Sequence, residues 1–134
     1  MNYSIIVPVY NRPDEVDELL ESLCQQKVKD FEVIIVEDGS KTPCKDVCDK
    51  YADILDLHYY AKTNSGPGQS RNYGAERAKG EWLIVLDSDV VLPEDYLAVA
   101  NSHLSPITPV LMPGEVLTRH ILTSPLSRKP SRMP

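Results

Sequence analysis

Glu81-Trp82-Leu83-Ile84-Val85-Leu86-Asp87-Ser88-Asp89 is the stretch whose reading decides the fold. The apolar run from Trp82 to Leu86, bounded by Lys79-Gly80 upstream and Val90-Val91-Leu92-Pro93 downstream, reads as a strand buried on both faces rather than a half-solvated one. Two acids stand at its end. A sheet interior holds unpaired carboxylates only at high cost, so Asp87 and Asp89 belong where the strand leaves the sheet and a cation can meet them. Residues two apart in an extended segment point the same way, which lets both face one site beside Ser88. As ligands, their hard oxygens suit Mg2+ or Mn2+. As local hydrogen-bonding groups, they merely solvate a strand-end turn.

Upstream, the same grammar repeats. Ser4-Ile5-Ile6-Val7-Pro8-Val9-Tyr10 is a β-branched strand, with Pro8 marking its end because proline cannot donate to a central ladder. Asn11-Arg12-Pro13-Asp14-Glu15 starts a helix, and Val16, Leu19, Leu20, Leu23 and Cys24 give it one apolar face. Phe31 to Val36 is a second buried strand, ending in Glu37-Asp38-Gly39-Ser40. A short helix from Pro43 to about Tyr51 follows, with Val47 and Tyr51 inward, and then a strand Leu57-His58-Tyr59-Tyr60. His58 reads as a hydrogen-bonded strand residue, since no acid or cysteine is spaced to make it a ligand. Gly66-Pro67-Gly68 breaks helix and strand alike, and a helix runs from Arg71 to Lys79, capped by Gly80. That loop is either a plain surface turn or a phosphate site, built from close backbone approach, a helix start and the Arg71 fork.

Strands alternating with helices imply an α/β domain with a mostly parallel sheet. Ligands of such sheets bind outside the carboxyl ends of the strands, which brings Pro8-Val9-Tyr10, Glu37-Asp38 and Asp87-Ser88-Asp89 to one place. The 134 residues suffice for one domain. No apolar run reaches membrane-spanning length and Ile5-Ile6-Val7 is too short for a signal peptide, so the chain reads as soluble and cytoplasmic. A net charge of -6 argues against nucleic acid as a partner. Three cysteines, an odd number without a secretory marker, argue against a disulfide framework. Cys44-x-x-x-Cys48 reads as helix thiols, or as half of a metal site that lacks its other ligands.

Together, Ser4 to Asn11, Val36-Glu37-Asp38-Gly39-Ser40, Asn64-Ser65-Gly66-Pro67-Gly68-Gln69-Ser70-Arg71-Asn72 and Leu86-Asp87-Ser88-Asp89 resemble the motifs of the family 2 glycosyltransferases, in the family's order and near its spacing. The resemblance covers roughly residues 3 to 103. It implies a GT-A fold, Rossmann-like, with helices flanking a mostly parallel sheet, here truncated to the amino-terminal, nucleotide-sugar-binding half (1–104). It further implies a base pocket lined by Pro8, Val9 and Tyr10, with Asp38 accepting a hydrogen bond from the base and Arg71 near ribose or diphosphate. Asp87 would lie nearer the ribose with Ser88 beside it, and Asp89 would be the direct ligand of Mn2+ or Mg2+. Glu37 replaces the aspartate more common before Asp38. The expected reaction is inverting transfer from a nucleotide-diphosphate sugar, UDP-sugar favoured, to a hydroxyl of a saccharide or lipid-linked acceptor. Full-length relatives of this kind include membrane-associated enzymes.

A dinucleotide dehydrogenase or a nucleotidyltransferase would carry glycines after the first strand, where this chain has Val9-Tyr10-Asn11-Arg12-Pro13. The other reading is a catalytically incompetent nucleotide-binding fragment, because the base that deprotonates the acceptor is expected in the half this chain lacks. Residues 105–134 change character. They carry four basic residues against the single acid Glu115, and six of the eleven prolines. With one choice of codons, Gly114 to Pro125 read two bases later yields a glycine pair leading to an acid, as the acceptor half of such enzymes has. From about Leu111 onward the tail is therefore expected to be a frameshift product and disordered, and the half-sheet to self-associate through exposed apolar surface.

Overall fold

The β-branched run near the amino terminus forms strand β1, Tyr3–Val9, in which only Pro8 escapes full burial. The structure, a computed structural model, describes residues 3–103 and 120–122. Side chains alternate along β1. Tyr3, Ile5, Val7 and Val9 enter the larger of two cores, while Ile6 enters a smaller one on the opposite face. A strand covered on both sides needs the unbroken apolar run that the sequence supplies.

Helix α1, Pro13–Cys24, starts with proline at its first position and places Asp14 and Glu15 against the positive helix terminus. Val16, Leu19, Leu20 and Leu23 are fully buried in the larger core. Withdrawing each from water stabilises the fold by about 1.5–3 kcal/mol. Strand β2, Phe31–Asp38, is buried at every position, and so continues through both of its terminal acids. Helix α2, Lys45–Tyr51, buries Cys48 and Tyr51, with Cys44 buried just before it. Val47, expected inward, is only partly buried because the inner stripe runs through Cys44, Cys48 and Tyr51.

Strand β3, Leu57–Lys62, is two residues longer than its apolar core suggests. Helix α3 spans Pro67–Arg77, so Gly66-Pro67-Gly68, expected as a breaker, starts the helix instead. Proline suits the first helical position, where its N–H would have no intrahelical partner anyway, and Gly66 at φ 97° makes the turn into it. Gly74 lets α3 lie on the sheet, for a Cβ there would stand 2.6 Å from Ile6 Cγ2 and 3.3 Å from Val36 Cγ2. Strand β4, Trp82–Val85, helix α4, Tyr96–His103, and strand β5, His120–Leu122, complete the described elements.

All strand pairs are parallel, in the order β3-β2-β1-β4-β5. Helices α1, α2 and α4 contribute to the larger core and α3 to the smaller. Strand β5 lies within the tail expected to be disordered, with His120 opposite Trp82. Most of that tail, and the question of its reading frame, lie outside the described residues. Among the described residues, no helix is long and apolar enough to cross a membrane.

At the amino end of the sheet, buried side chains tie the strands together. Ser4 Oγ donates to Glu32 Oε2 and accepts the Gly80 N–H at 2.7 Å, while the Lys79 N–H donates to Glu32 Oε2 at 2.6 Å. Gly80 was expected to cap α3, but the helix closes at Ala78 and Gly80 serves this junction.

Candidate functional site

Chain order reverses at β1, which has β2 on one side and β4 on the other. A parallel sheet opens a crevice at such a point, beyond the carboxyl ends of its strands. The sequence widens it. Ile6 O accepts the Leu86 N–H at 2.9 Å, so the backbone groups of Ile6, and of Pro8 two residues on, face β4. Pairing with β4 stops at Ile6 opposite Val85, whereas pairing with β2 continues to Val9 opposite Glu37. Pro8 therefore does not end its strand, as expected, but ends one of its two ladders. Its missing N–H falls on the side where β4 has already turned away.

The three residues expected at a base pocket separate accordingly. Val9 is 2% exposed and packs its side chain in the larger core, as strand alternation directs. Pro8 is half-buried on the other face, and Tyr10, beyond the strand, is 49% exposed. Asn11 follows with φ 54°, a left-handed conformation that asparagine tolerates. Its side-chain oxygen accepts the N–H groups of Lys41 and Thr42 at 2.7 and 3.0 Å, and its own N–H donates to Ser40 Oγ. The turn after β1 is thereby fastened to the turn after β2.

Glu37 and Asp38 end β2 facing opposite ways. Glu37 accepts the Cys44 N–H, the Tyr59 hydroxyl and the Ser40 hydroxyl, organising the approach to α2. Burial, followed by the Glu37 hydrogen bond, pushes the Tyr59 hydroxyl up. Cys44 is likewise raised, by the neighbouring Cys48 thiol first and then burial, so it is an inert thiol. Asp38 turns toward α3. Its Oδ1 accepts Lys62 Nζ and the Ser65 N–H, both at 2.8 Å, and its Oδ2 accepts the Gly66 N–H at 3.0 Å. Burial alone would raise this carboxyl, but Lys62 and the two backbone donors outweigh it and hold Asp38 below the ordinary carboxylate range. Asn64 Nδ2 donates to the Asp38 carbonyl. Gly39, at φ +69°, lets this loop pass, since a Cβ there would lie 2.7 Å from the Asn64 nitrogen.

The α3 start thus already serves an anion, the Asp38 carboxylate. The first intrahelical bond runs from Ser70 N–H to Gly66 O, which leaves the Gly68 and Gln69 N–H groups in the exposed first turn. Arg71, expected at the helix start, stands one turn further in and is exposed.

Asp87-Ser88-Asp89 also departs from expectation. β4 ends at Val85, and the Val90 N–H bonds back to Asp87 O at 3.4 Å, so the acids ride a turn and the two-residue period does not apply. Asp87 is exposed, Ser88 and Asp89 are half-buried, and Asp89 Oδ1 is shielded from solvent. Val90 and Leu92 are buried in the larger core, the Leu92 N–H reaches Ser22 Oγ at 3.2 Å, and Ser88 Oγ donates to Glu15 Oε1 at 3.3 Å. The donor set of two aspartates and a hydroxyl on an anchored turn fits a hard divalent cation.

Sequence reasoning gave no individual role to Asn11, Lys62 and Asn64, which fasten the loops at the strand ends. The available signals were an asparagine directly after a buried strand and a lysine ending an apolar one.

A family model described as glycosyl transferase family 2 matches residues 4–105. The chain is similar to an uncharacterized glycosyltransferase of Haemophilus influenzae, 49% identical over 86 residues, which are 64% of this chain and 29% of the relative. It is also similar to the Staphylococcus aureus poly(ribitol-phosphate) beta-N-acetylglucosaminyltransferase TarS, 35% identical over 122 residues, 85% of this chain and 21% of the relative. A crystal structure of TarS in complex with UDP aligns with a TM-score of 0.72 at 38% identity, covering 76% of this chain and 31% of the other. A Pyrobaculum calidifontis mannosyltransferase in complex with GDP-Man and Mn2+ aligns with a TM-score of 0.67 at 25% identity, covering 75% of this chain and 31% of the other. The chain spans less than a third of the length of these relatives.

Proposed function

This chain belongs to glycosyl transferase family 2, and from that premise we propose that its cleft between β1 and β4 holds a uridine-diphosphate sugar through Mn2+ or Mg2+, for inverting transfer to the hydroxyl of a saccharide or lipid-linked acceptor. Its α/β sheet is of the GT-A type. One observation carries the reading. Pro8 halts the β1–β4 ladder at the point where strand order reverses, and the Asp87-Ser88-Asp89 turn follows β4 at that same point. That UDP occupies the TarS structure supports the choice of base.

Within the cleft, half-buried Asp89 is the direct metal ligand, and exposed Asp87 lies toward the ribose with Ser88 beside it. The cation supplies charge neutralisation for the departing diphosphate. Arg71 and the N–H groups of Gly68 and Gln69 face the phosphates. Tyr10 offers a flat, half-exposed ring for the base, next to Pro8. Asp38 receives the base through Oδ2, which carries one hydrogen bond where Oδ1 carries two. The base that deprotonates the acceptor is assigned to none of the described residues.

Calorimetric titration of UDP with and without Mn2+ tests the reading. The metal should tighten binding by about tenfold or more, or about 1.4 kcal/mol, in the wild type and not in Asp89→Ala. Equal affinity in all four titrations would remove the metal role. Metal-dependent binding with no transfer to any acceptor would mark the chain as a nucleotide-binding fragment.

A further inference from the structure

We propose that Glu32, Asp56 and His58 form a second metal site, for a borderline transition ion such as Zn2+, at the end of the sheet opposite the donor cleft. Sequence spacing argued against His58 as a ligand because no acid was placed to match it. The fold overturns that premise. Asp56 lies two residues before His58 where the chain enters β3, and Glu32 comes from neighbouring β2, whose Val33 N–H bonds the Asp56 carbonyl at 2.8 Å. His58 Nε2 stands 3.0 Å from Asp56 Oδ1 and 3.5 Å from Glu32 Oε1, and the three atoms lie within 4.8 Å of one another. Metal bonds of about 2.0–2.2 Å place neighbouring ligand atoms roughly 2.9–3.4 Å apart, close to the two distances measured from His58 Nε2.

The burial and fixed orientation of Glu32 add to that spacing. The Glu32 side chain is 7% exposed, yet only Oε2 is hydrogen-bonded, by Ser4 and Lys79, while Oε1 accepts no hydrogen bond among the described residues and is aimed at His58. Those bonds to Oε2 fix the carboxylate in place, as hydrogen bonds to a ligand's other atom do in metal sites. Two carboxylates and a neutral imidazole balance a divalent charge, and the imidazole favours Zn2+, Co2+ or Ni2+ over the Mg2+ suited to Asp87 and Asp89. An ion here clips β3 to β2 and, through Ser4 and Glu32, to β1 and the lead-in to β4.

The test is thermal melting of the chelator-treated full chain with ZnCl2, beside Co2+ titration read by visible absorbance. Zinc in hundredfold excess over its Kd should raise Tm by on the order of 8 °C. Both the rise and the Co2+ band should vanish in His58→Asn and in Asp56→Asn, whose side chains are 36% and 67% exposed and so tolerate exchange. Asp89→Ala should keep both. No zinc effect in the wild type would overturn the proposal, as would an effect that persists in both variants. So would one that disappears in Asp89→Ala alone, since that would put the ion in the donor cleft.

Discussion

The two ends of this sheet treat their acids in opposite ways. At the carboxyl end, Asp38 is wrapped by backbone N–H groups and Lys62, and Asp87 and Asp89 ride a turn beyond a strand that has left the ladder. At the amino end, Glu32 sits within the sheet and knits β1, β2 and the lead-in to β4 together through Ser4, Lys79 and Gly80. The spacing Asp-x-Asp would put two ligands on one side only in extended chain. That geometry is absent at Asp87 and Asp89 and realised instead at Asp56 and His58, whose side chains meet. Period-two logic therefore holds where strands begin under ladder constraint, and fails where they end and turn.

The largest test of this contrast is Asp38→Ala. It strands a half-buried lysine and two backbone donors around an empty space, and should cost about 3–5 kcal/mol of stability in urea unfolding. Glu32→Gln keeps the shape and one acceptor, and should cost about 1–3 kcal/mol. If Glu32→Gln proved the more damaging, the carboxyl end would not be the more tightly determined one. Gly39→Ala is of similar size to Glu32→Gln but selective. Its strained φ and the close Asn64 backbone predict a loss of about 1–3 kcal/mol, with UDP affinity falling further than in Gly74→Ala, where the clash is with the core side chains Ile6 and Val36. Equal effects on UDP binding from the two glycine variants would detach the loop from the cleft.

The strands and α1 were legible because burial on both faces and a 3.6-residue stripe leave direct marks in residue order. The acids at the strand ends and Pro8 in β1 were legible too, and the structure places them at the carboxyl end of the sheet. Three things were not. Whether Gly66-Pro67-Gly68 breaks or begins a helix depends on Asp38, a partner 28 residues away that captures the Gly66 N–H. Val9 and Tyr10 are adjacent letters with opposite fates, because one still obeys strand alternation and the other has left the strand. For His58 the nearer acid, Asp56, stood two residues away in the sequence, but the second, Glu32, reaches it across the sheet, and pairing register is a tertiary fact that local spacing does not encode.

The smallest effect separates charge from shape at the carboxyl end, through acid. Asp38 has a folded pKa below its unfolded value, because Lys62 and the N–H groups of Ser65 and Gly66 favour the charged form more than burial disfavours it. Above the unfolded value, about 3.9, both states are ionised and the full contribution is present. As pH falls through that value the unfolded chain takes up a proton that folded Asp38 resists, so stability drops until the folded pKa is passed. Asp38→Asn removes this titration while keeping most of the shape. Its stability should start lower at pH 7 and fall less steeply than that of the wild type as pH drops below the unfolded value. Asp17, lowered by the Tyr51 hydroxyl and then by Lys50, remains in both proteins and cancels in the comparison. Parallel acid limbs in urea unfolding would mean that the loop of residues 62–66 is held by packing rather than by the Asp38 charge, and that the two ends of the sheet differ less than their hydrogen bonds indicate.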